Sequence, residues 1–428
     1  MPSAHHAKWR DLPGSGGIDH RSRFREGESP NKKYSVDVQM PNRIHIVQII
    51  KNFSIESGGG GIERFGIALA QALDPLRFEV SVCGLWSNNT TFERERIRQI
   101  TIEGVNAFTT ADWEEAHPYR AFQKAYRGLR AWLIDHPADV LNCHSEFADM
   151  AVLPLGLKRK PAILRTVHNR EWGKRPIRRI LLTNFLYPLL FRKEIGVSPG
   201  IVETLNLRPV ARLLRKRALC IHNAVDLERF RAVKIDARAK RAELGIPANV
   251  PVIGSVGRLS RQKGYSFLID AAVRVLAEIP DVRFVIVGDG EDMAMLKNQA
   301  ARLGIADRVL FTGPRPDVEE LLAAFTLFAS SSLWEGLPTV IMESMAAGVP
   351  VVATDIPGTR ELGVNGAIGW LVPVADEQAL GTAILAALHD PSRREACVEK
   401  ARLVVQSFSV QFVAAEYAEL YTAIMEKK

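Results

Sequence analysis

From residue 44 onward, short apolar runs alternate with longer segments of helical periodicity, and this alternation limits the chain to repeated βαβ units and parallel sheets. The first half offers "RIHIVQII", "FEVSVCG", "VNAFTT", "ADVLNCH", "AILRTVH", "EIGVS" and "ALCIHN" as strands. A turn-rich stretch, "HNAVDLERFRAVKIDARAK", interrupts the alternation, which then restarts with "VPVIGSVGR", "VRFVIVGDG", "RVLFTG", "TLFASSS", "PVVATDI" and "GWLVP". Strands apolar almost throughout are strands covered on both faces. The expected fold is therefore α/β, with two doubly wound Rossmann-like domains facing each other across a cleft. In such sheets ligands bind beyond the carboxyl ends of the strands, so the residues just after each strand carry the functional weight.

A chain of 428 residues exceeds what one core usually supports. The expected domains are residues 41–224 and 225–407. Residues 1–40 are polar, broken by Gly and Pro, and without an apolar run suited to a signal peptide, so they read as a disordered tail. The longest apolar run, "ILLTNFLYPLLF", has 12 residues where a spanning helix needs about 20. Cys83, Cys143, Cys220 and Cys397 form no C-x-x-C, which argues against a disulfide framework and fits a reducing cytoplasm. No His/Cys/Asp/Glu cluster has metal-ligand spacing, so neither a metal nor a cofactor is expected.

Arg258 and Lys263 follow the first strand of the second half in "GSVGRLSRQKGYSF". A strand, a glycine turn, a planar guanidinium fork and a point charge, then a helix start, could together clamp a diphosphate; a solvated basic loop is the plainer alternative. No G-K-[ST] is present, which excludes a Walker loop. "SGGGGIERFGIALAQAL" leaves the first strand and opens a helix, so Gly58, Gly59, Gly60 and Gly61 let backbone approach a ligand or simply make a flexible turn. The Gly-x-Gly of "VGDGED" reads as a tight βα turn. His168, ending the strand of "LRTVHNREW", reads equally as a cleft-facing or a structural histidine, and His144 in "LNCHSEF" has similar geometry and a weaker case.

"SSLWEGLPTVIMESMAAGVPVVATDIPG" carries Glu335 and, eight residues on, Glu343. On one helix they would stand about 12 Å apart along the axis, well beyond the roughly 5–5.5 Å of a retaining glycosidase pair. Pro338 reads as a first-turn residue, which leaves Glu335 in the loop before the helix and Glu343 within it. The N–H groups from Gly336 to Val340 then form a helix N-terminus suited to phosphate or sugar hydroxyls. Two solvated surface acids remain the alternative on spacing alone.

Taken together, "VGRLSRQKGYSFLIDAA", "VIVGDGED", "SSLWEGLPTVIMESMAAGVPVVATDIPGTRELGVNGAIGWLVP" and "HNAVDLERF" resemble the retaining nucleotide-sugar glycosyltransferases of family 4, the glycosyl transferases group 1, with the GT-B fold. The similarity runs from about residue 42 to the C-terminus. It implies that Arg258 and Lys263 neutralise the donor diphosphate, with Thr339 and Val340 beside it. Glu343 would hold the ribose hydroxyls. Glu335 would hold the transferred sugar, with Gly336, Leu337 and Pro338 next to it and His168 reaching it from the other domain. The Gly58–Gly61 loop matches the acceptor-side loop, Pro314 and Arg315 in "GPRPDVEE" fall where the family approaches the base, and residues 408–428 would cross back onto the first domain. Catalytic weight would rest on Glu335, His168, Arg258 and Lys263, without a metal; retention in the family is often drawn as front-face attack, the departing phosphate taking the acceptor proton.

The net charge of +8 is concentrated: between Trp172 and Arg217 eleven Lys/Arg face only Glu194 and Glu203, a balance of +9. Mixed with apolar residues, this stretch reads as a surface resting on anionic lipid or as an ordinary solvated basic face. No nucleic-acid-binding module accompanies it. The expectation is a retaining, metal-independent hexosyltransferase using a nucleotide diphosphate sugar and a glycan, lipid-linked sugar or small-molecule hydroxyl acceptor, cytoplasmic or peripheral on the inner membrane face. The alternatives are a nucleotide-sugar epimerase of the same fold and a catalytically silent, membrane-docked nucleotide-sugar binder.

Overall fold

The computed structural model describes residues 43–54, 60–153, 155–157, 160–168, 180–231 and 236–426. The expected tail, Gly58, Gly59 and residues 172–179 of the basic stretch lie outside them.

Each run read as a strand forms a strand of one of two parallel sheets, whereas the longest apolar run, residues 180–191, is helical over residues 182–190. The first has the order β3-β2-β1-β4-β5-β6-β7, from β1 (Ile44–Ile50), β2 (Phe78–Gly84), β3 (Asn106–Thr109), β4 (Val140–Cys143), β5 (Ala162–Val167), β6 (Lys193–Gly196) and β7 (Leu219–Cys220). The second has the order β10-β9-β8-β11-β12-β13, from β8 (Val252–Val256), β9 (Arg283–Val287), β10 (Val309–Gly313), β11 (Leu327–Ser330), β12 (Val351–Thr354) and β13 (Trp370–Val372). The strands β4, β8, β11 and β12 are buried at every residue, which explains their lack of alternation. The α/β doubly wound architecture read from the sequence is the one observed.

Strand order reverses between β1 and β4 in the first sheet and between β8 and β11 in the second. These switch points open a crevice at the carboxyl ends of the strands. The residues that leave β1, β4 and β5 in one lobe, and β8 and β11 in the other, are those singled out in the sequence.

The lobes share one core. Val167, Val197, Ile201 and Leu205 of the first pack in the same cluster as Leu337, Ile341 and Met342 of the second. The chain crosses between lobes twice, and the crossings are tied together: Val225 N–H donates to Phe408 O (2.9 Å) and Val410 N–H donates to Val225 O (3.0 Å). Beyond the second crossing, the helix Val410–Glu426 packs Val413, Ala414, Tyr417, Tyr421 and Ile424 into the core of the first sheet. Its two tyrosines also carry polar duty, for the Tyr421 hydroxyl accepts from Gln48 Nε2 (3.0 Å) and Asn142 Nδ2 (3.0 Å).

The basic stretch divides on folding. Arg208 is buried and bound to Glu194, Thr183 O (2.9 Å) and Leu205 O (2.8 Å), so it belongs to the interior rather than to a basic face. Tyr187 and Phe191 are also buried, whereas Leu181, Phe185, Leu189, Leu190, Leu213 and Leu214 are exposed beside exposed Arg212, Arg215, Lys216 and Arg217. Among the described residues no helix is long and apolar enough to cross a membrane.

Candidate functional site

A cavity of about 220 Å³ sits between the two switch points. From the first lobe it is lined by Gly60, Gly61, Glu63 and Arg64 after β1 and by His168 after β5; from the second by Gly257, Arg258, Gln262 and Lys263 after β8 and by Glu335, Leu337, Pro338, Thr339, Val340 and Glu343 after β11. Residues nearly 300 positions apart in sequence are thus brought together by two strand orders.

The turn after β8 explains its glycines. Gly257 adopts φ +156 and Gly264 φ +61, and a Cβ on Gly264 would lie 2.2 Å from Ser331 O, so only glycine lets this turn press against the strand-end loop of β11. Lys263 ends a 3-10 turn (Arg261–Lys263) and reaches Glu335 at 2.6 Å. Gln262 Nε2 donates to Glu335 Oε2 (3.0 Å) and to Trp334 O (3.0 Å), and Ser332 Oγ donates to Glu335 Oε1 (3.1 Å). Only 8% of the Glu335 side chain is exposed, so its carboxylate is fixed by one cation and two neutral donors before any ligand arrives. Arg258 behaves differently: it is largely exposed and pairs with Glu291 (3.0 Å) at the rim.

Helix Thr339–Ala346 starts one residue later than expected, with Pro338 as its N-cap rather than in its first turn. Glu335 lies in the preceding loop and Glu343 within the helix, as the spacing required. The free N–H groups of Thr339 and Val340 open on the cavity. Glu343 meets Arg64 of the first lobe at 3.8 Å, outside hydrogen-bond range. Gly336 does not line the cavity; it packs on the first lobe, where a Cβ would lie 2.1 Å from His168 O.

His168 is more constrained than a lone histidine. Its Nδ1 lies 2.8 Å from Asn223 Oδ1, and the Asn223 amide is oriented by donating to Leu337 O (3.1 Å), so His168 Nδ1 carries the hydrogen. Its Nε2 faces His144 Nδ1 at 3.3 Å, and His144 Nε2 lies 2.8 Å from Gln48 Oε1. Burial holds His168 down to about 4 and His144 well below its ordinary value, so both rings are neutral near pH 7. With Nδ1 bonded to Asn223 and Nε2 turned towards His144, His168 has no ring nitrogen directed at the cavity, while its carbonyl oxygen faces Gly336.

Pro314 and Arg315 are not among the lining residues, although Val318 nearby is. Arg315 is turned to Asp317 (2.6 Å) and Glu243 (2.5 Å). The sequence reading did not single out Glu63, Arg64, Gln262 or Asn223. The first two stand in the quoted glycine-helix segment, where helical phase decides who faces the cleft. Glu63 is raised above the ordinary carboxylate range by burial. Among the described residues no group of three or more His, Cys, Asp or Glu could hold a metal.

Two family models divide the chain: Glycosyltransferase Family 4 matches residues 59–229 and Glycosyl transferases group 1 matches residues 236–404. A phosphatidyl-myo-inositol mannosyltransferase of Mycobacterium tuberculosis is 30% identical over 308 residues, which cover 70% of this chain and 77% of that protein. The chain is a family 4 glycosyltransferase of the GT-B fold. Other relatives of the family 4 glycosyltransferase include the lipopolysaccharide core biosynthesis glycosyltransferase LpsE of Rhizobium meliloti, 36% identical over 44% of this chain and 54% of that one. A UDP-Gal:alpha-D-GlcNAc-diphosphoundecaprenol alpha-1,3-galactosyltransferase of Escherichia coli is 32% identical over 49% of this chain and 54% of its own length. The match thus spans about half the length of these two relatives. Among solved structures, Anabaena Alr3699/HepE in complex with UDP and glucose superimposes with a TM-score of 0.72 at 23% identity, over 89% of this chain and 100% of that one, a likeness of fold.

Proposed function

We propose that this family 4 glycosyltransferase is a retaining, metal-independent hexosyltransferase that moves a sugar from a nucleotide diphosphate sugar to a hydroxyl of a glycan or lipid-linked acceptor held by the first lobe. The observation that carries the reading is the interlobe cavity in which Lys263, Glu335, Glu343 and the N-terminus of helix Thr339–Ala346 converge. Lys263 and Arg258, with the N–H groups of Thr339 and Val340, would stabilise charge developing on the departing diphosphate; in a cavity of low dielectric such a term is large. Glu335, already held by Gln262 and Ser332, would accept hydroxyls of the transferred sugar, and Glu343 those of the ribose. His168, neutral and tied to Asn223, would close the sugar pocket rather than exchange protons.

The domain roles follow: residues 41–224 for the acceptor, 225–407 for the donor, and 408–428 as the return helix. Working from the cytoplasm, the enzyme would meet a lipid-linked acceptor through the exposed leucines and cations between Leu181 and Arg217.

Incubating the purified chain with UDP- and GDP-sugars, with and without a hydroxyl acceptor, tests the reading by product analysis. Transfer with retained anomeric configuration is expected, and Lys263→Ala and Glu335→Ala should each abolish it while the protein stays folded. Wild-type turnover in either variant refutes the roles. Conversion of the donor sugar without any acceptor favours an epimerase, and tight donor binding without turnover a silent binder.

A further inference from the structure

A second cavity, of about 370 Å³, lies behind the first and shares Gly61, Arg64, Thr339 and Glu343 with it. Three guanidinium groups line it from three separate elements: Arg64 of helix Gly61–Ala72, Arg96 of helix Thr91–Ile102, and Arg229 of the short helix Leu227–Arg231 in the crossing segment. Gathering like charges in a half-buried space is unfavourable, and burial together with Arg229 and Arg64 pushes Arg96 below its ordinary range.

The carboxylates of the cavity relieve this only in part, Glu103 acting on Arg96 by its charge without forming an ion pair with it. Glu319 is taken by Arg229 in a two-point pair (3.1 and 2.7 Å). Asp226 accepts from the Glu228 N–H of its own helix (3.1 Å), and Glu103 is bound by Gln71 and Gln99. Glu343 reaches Arg64 only at 3.8 Å. Among the described residues Arg96 has no ion pair, and its Nε is buried without a hydrogen-bond partner. A buried guanidinium donor without an acceptor costs about 1–3 kcal/mol, and an anion in the cavity would supply that acceptor together with counter-charge for Arg96.

We infer that Arg64 and Arg96, backed by Arg229, form a binding site for a phosphate-type dianion, distinct from the diphosphate clamp at Arg258 and Lys263. Guanidinium forks supplied by two different helices can grip different oxygens of a tetrahedral oxyanion, whereas a planar carboxylate suits a single fork. Arg64 belongs to the first lobe and Glu343 to the second, so an anion that draws Arg64 onto itself frees Glu343 for its other ligand. That coupling rests on the donor role proposed for Glu343; the anion site itself does not. The phosphate has two sources, a free phosphate or diphosphate ion and the phosphate group of a larger molecule.

Isothermal titration of the full chain with inorganic phosphate and with glycerol phosphate, at ionic strength held constant with chloride, tests the site. Wild type should show a class of binding that Arg96→Ala weakens about tenfold or more and that Arg258→Ala leaves in place. An isotherm unchanged by Arg96→Ala, in protein whose melting curve matches wild type, overturns the site. If Arg96→Ala does not fold, Arg96→Lys and Arg64→Ala carry the test: Arg96→Lys keeps the charge, loses the fork and should bind several-fold more weakly. Tighter binding of glycerol phosphate than of phosphate assigns a substituted ligand, and equal binding a free ion. Nucleotide diphosphate affinity should rise several-fold at saturating phosphate in wild type but not in Arg96→Ala. Unchanged nucleotide affinity beside intact Arg96-dependent phosphate binding overturns the coupling alone.

Discussion

Replacing Gly336 with alanine tests how the donor loop is held. Gly336 lies outside the left-handed region, so alanine brings no backbone penalty, and any effect must come from contacts. The added Cβ would sit 2.9 Å from Ile201 Cδ1 and 2.1 Å from His168 O, the latter about 1 Å inside the 3.0 Å below which a neighbour must shift. The near neighbour is first-lobe backbone, which cannot swing aside as a side chain can. On the loop's other flank, a Cβ on Gly358 would already be 2.4 Å from Gly336 O, so retreat is blocked as well. The lobes must therefore part, or the Glu335–Pro338 loop must move, by about 1 Å; misplacement on that scale costs roughly 100-fold in rate at a reacting centre. Overpacking of this kind also destabilises by about 1–3 kcal/mol. The assay is a single-turnover rate with a matched thermal melt, and Gly313→Ala is the contrast. Gly313 has φ +73 and nothing within 4 Å, so it should lose about 1–2 kcal/mol of stability through backbone strain with its rate intact. A Gly336→Ala variant with wild-type rate and melt would refute the close packing of loop on first lobe.

Lys263→Ala strips the cation from an almost buried Glu335 carboxylate. It should cost about 1–3 kcal/mol in denaturant unfolding, most of which Lys263→Met combined with Glu335→Gln should restore. Tyr421→Phe leaves the buried amides of Gln48 and Asn142 short of an acceptor and should lower stability by about 1–3 kcal/mol, read as a shifted midpoint at constant slope. Burial raises the Glu361 carboxyl to about 7, above its unfolded value, so its contribution is fully present below the unfolded value and is lost as pH rises through 7. Glu361→Gln should accordingly raise stability by about 1–2 kcal/mol at pH 8 and by little at pH 5, and equal effects at both would refute the assignment. His168 has the opposite sign: held near 4, its contribution is complete above the unfolded value and is lost as pH falls. Acidification to pH 5 should therefore cost about 2 kcal/mol that His168→Gln no longer loses.

The strands were legible because parallel sheets covered on both faces demand uninterrupted apolar runs, and each run read as a strand became one. The cleft residues were legible for a related reason: in this architecture position after a strand is position in the crevice, which brought His168, Lys263, Glu335 and Glu343 to one cavity. What stayed hidden depends on pairing across long stretches of chain. A run of cations does not reveal that Arg208 is interior, because its partner Glu194 becomes one only when β6 forms. Arg315 gave no sign that Glu243, 72 residues earlier, would draw it away from the cavity. Glu63 and Arg64 were visible as letters, but only the phase of helix Gly61–Ala72 decides that both face the crevice.

Nor could sequence show how closely the donor loop and the lobe interface are one structure. The loop carrying Glu335 is gripped from its own lobe by Gly264, against which Ser331 O packs, and by Gln262. From the first lobe it is gripped by the backbone of His168 on Gly336 and by the Asn223 amide on Leu337 O. None of these contacts is a flexible surface ion pair that salt could loosen; two are backbone against backbone at glycine, two are hydrogen bonds from amide side chains, and they tolerate displacements of tenths of an ångström. A change in lobe spacing must then displace Glu335 directly, without a relay of intervening side chains. Opening and closing of the crevice and the positioning of Glu335 therefore cannot vary independently, so substitutions at the lobe contact should move turnover together with thermal stability, whereas substitutions at Arg258, exposed at the rim, should move turnover alone.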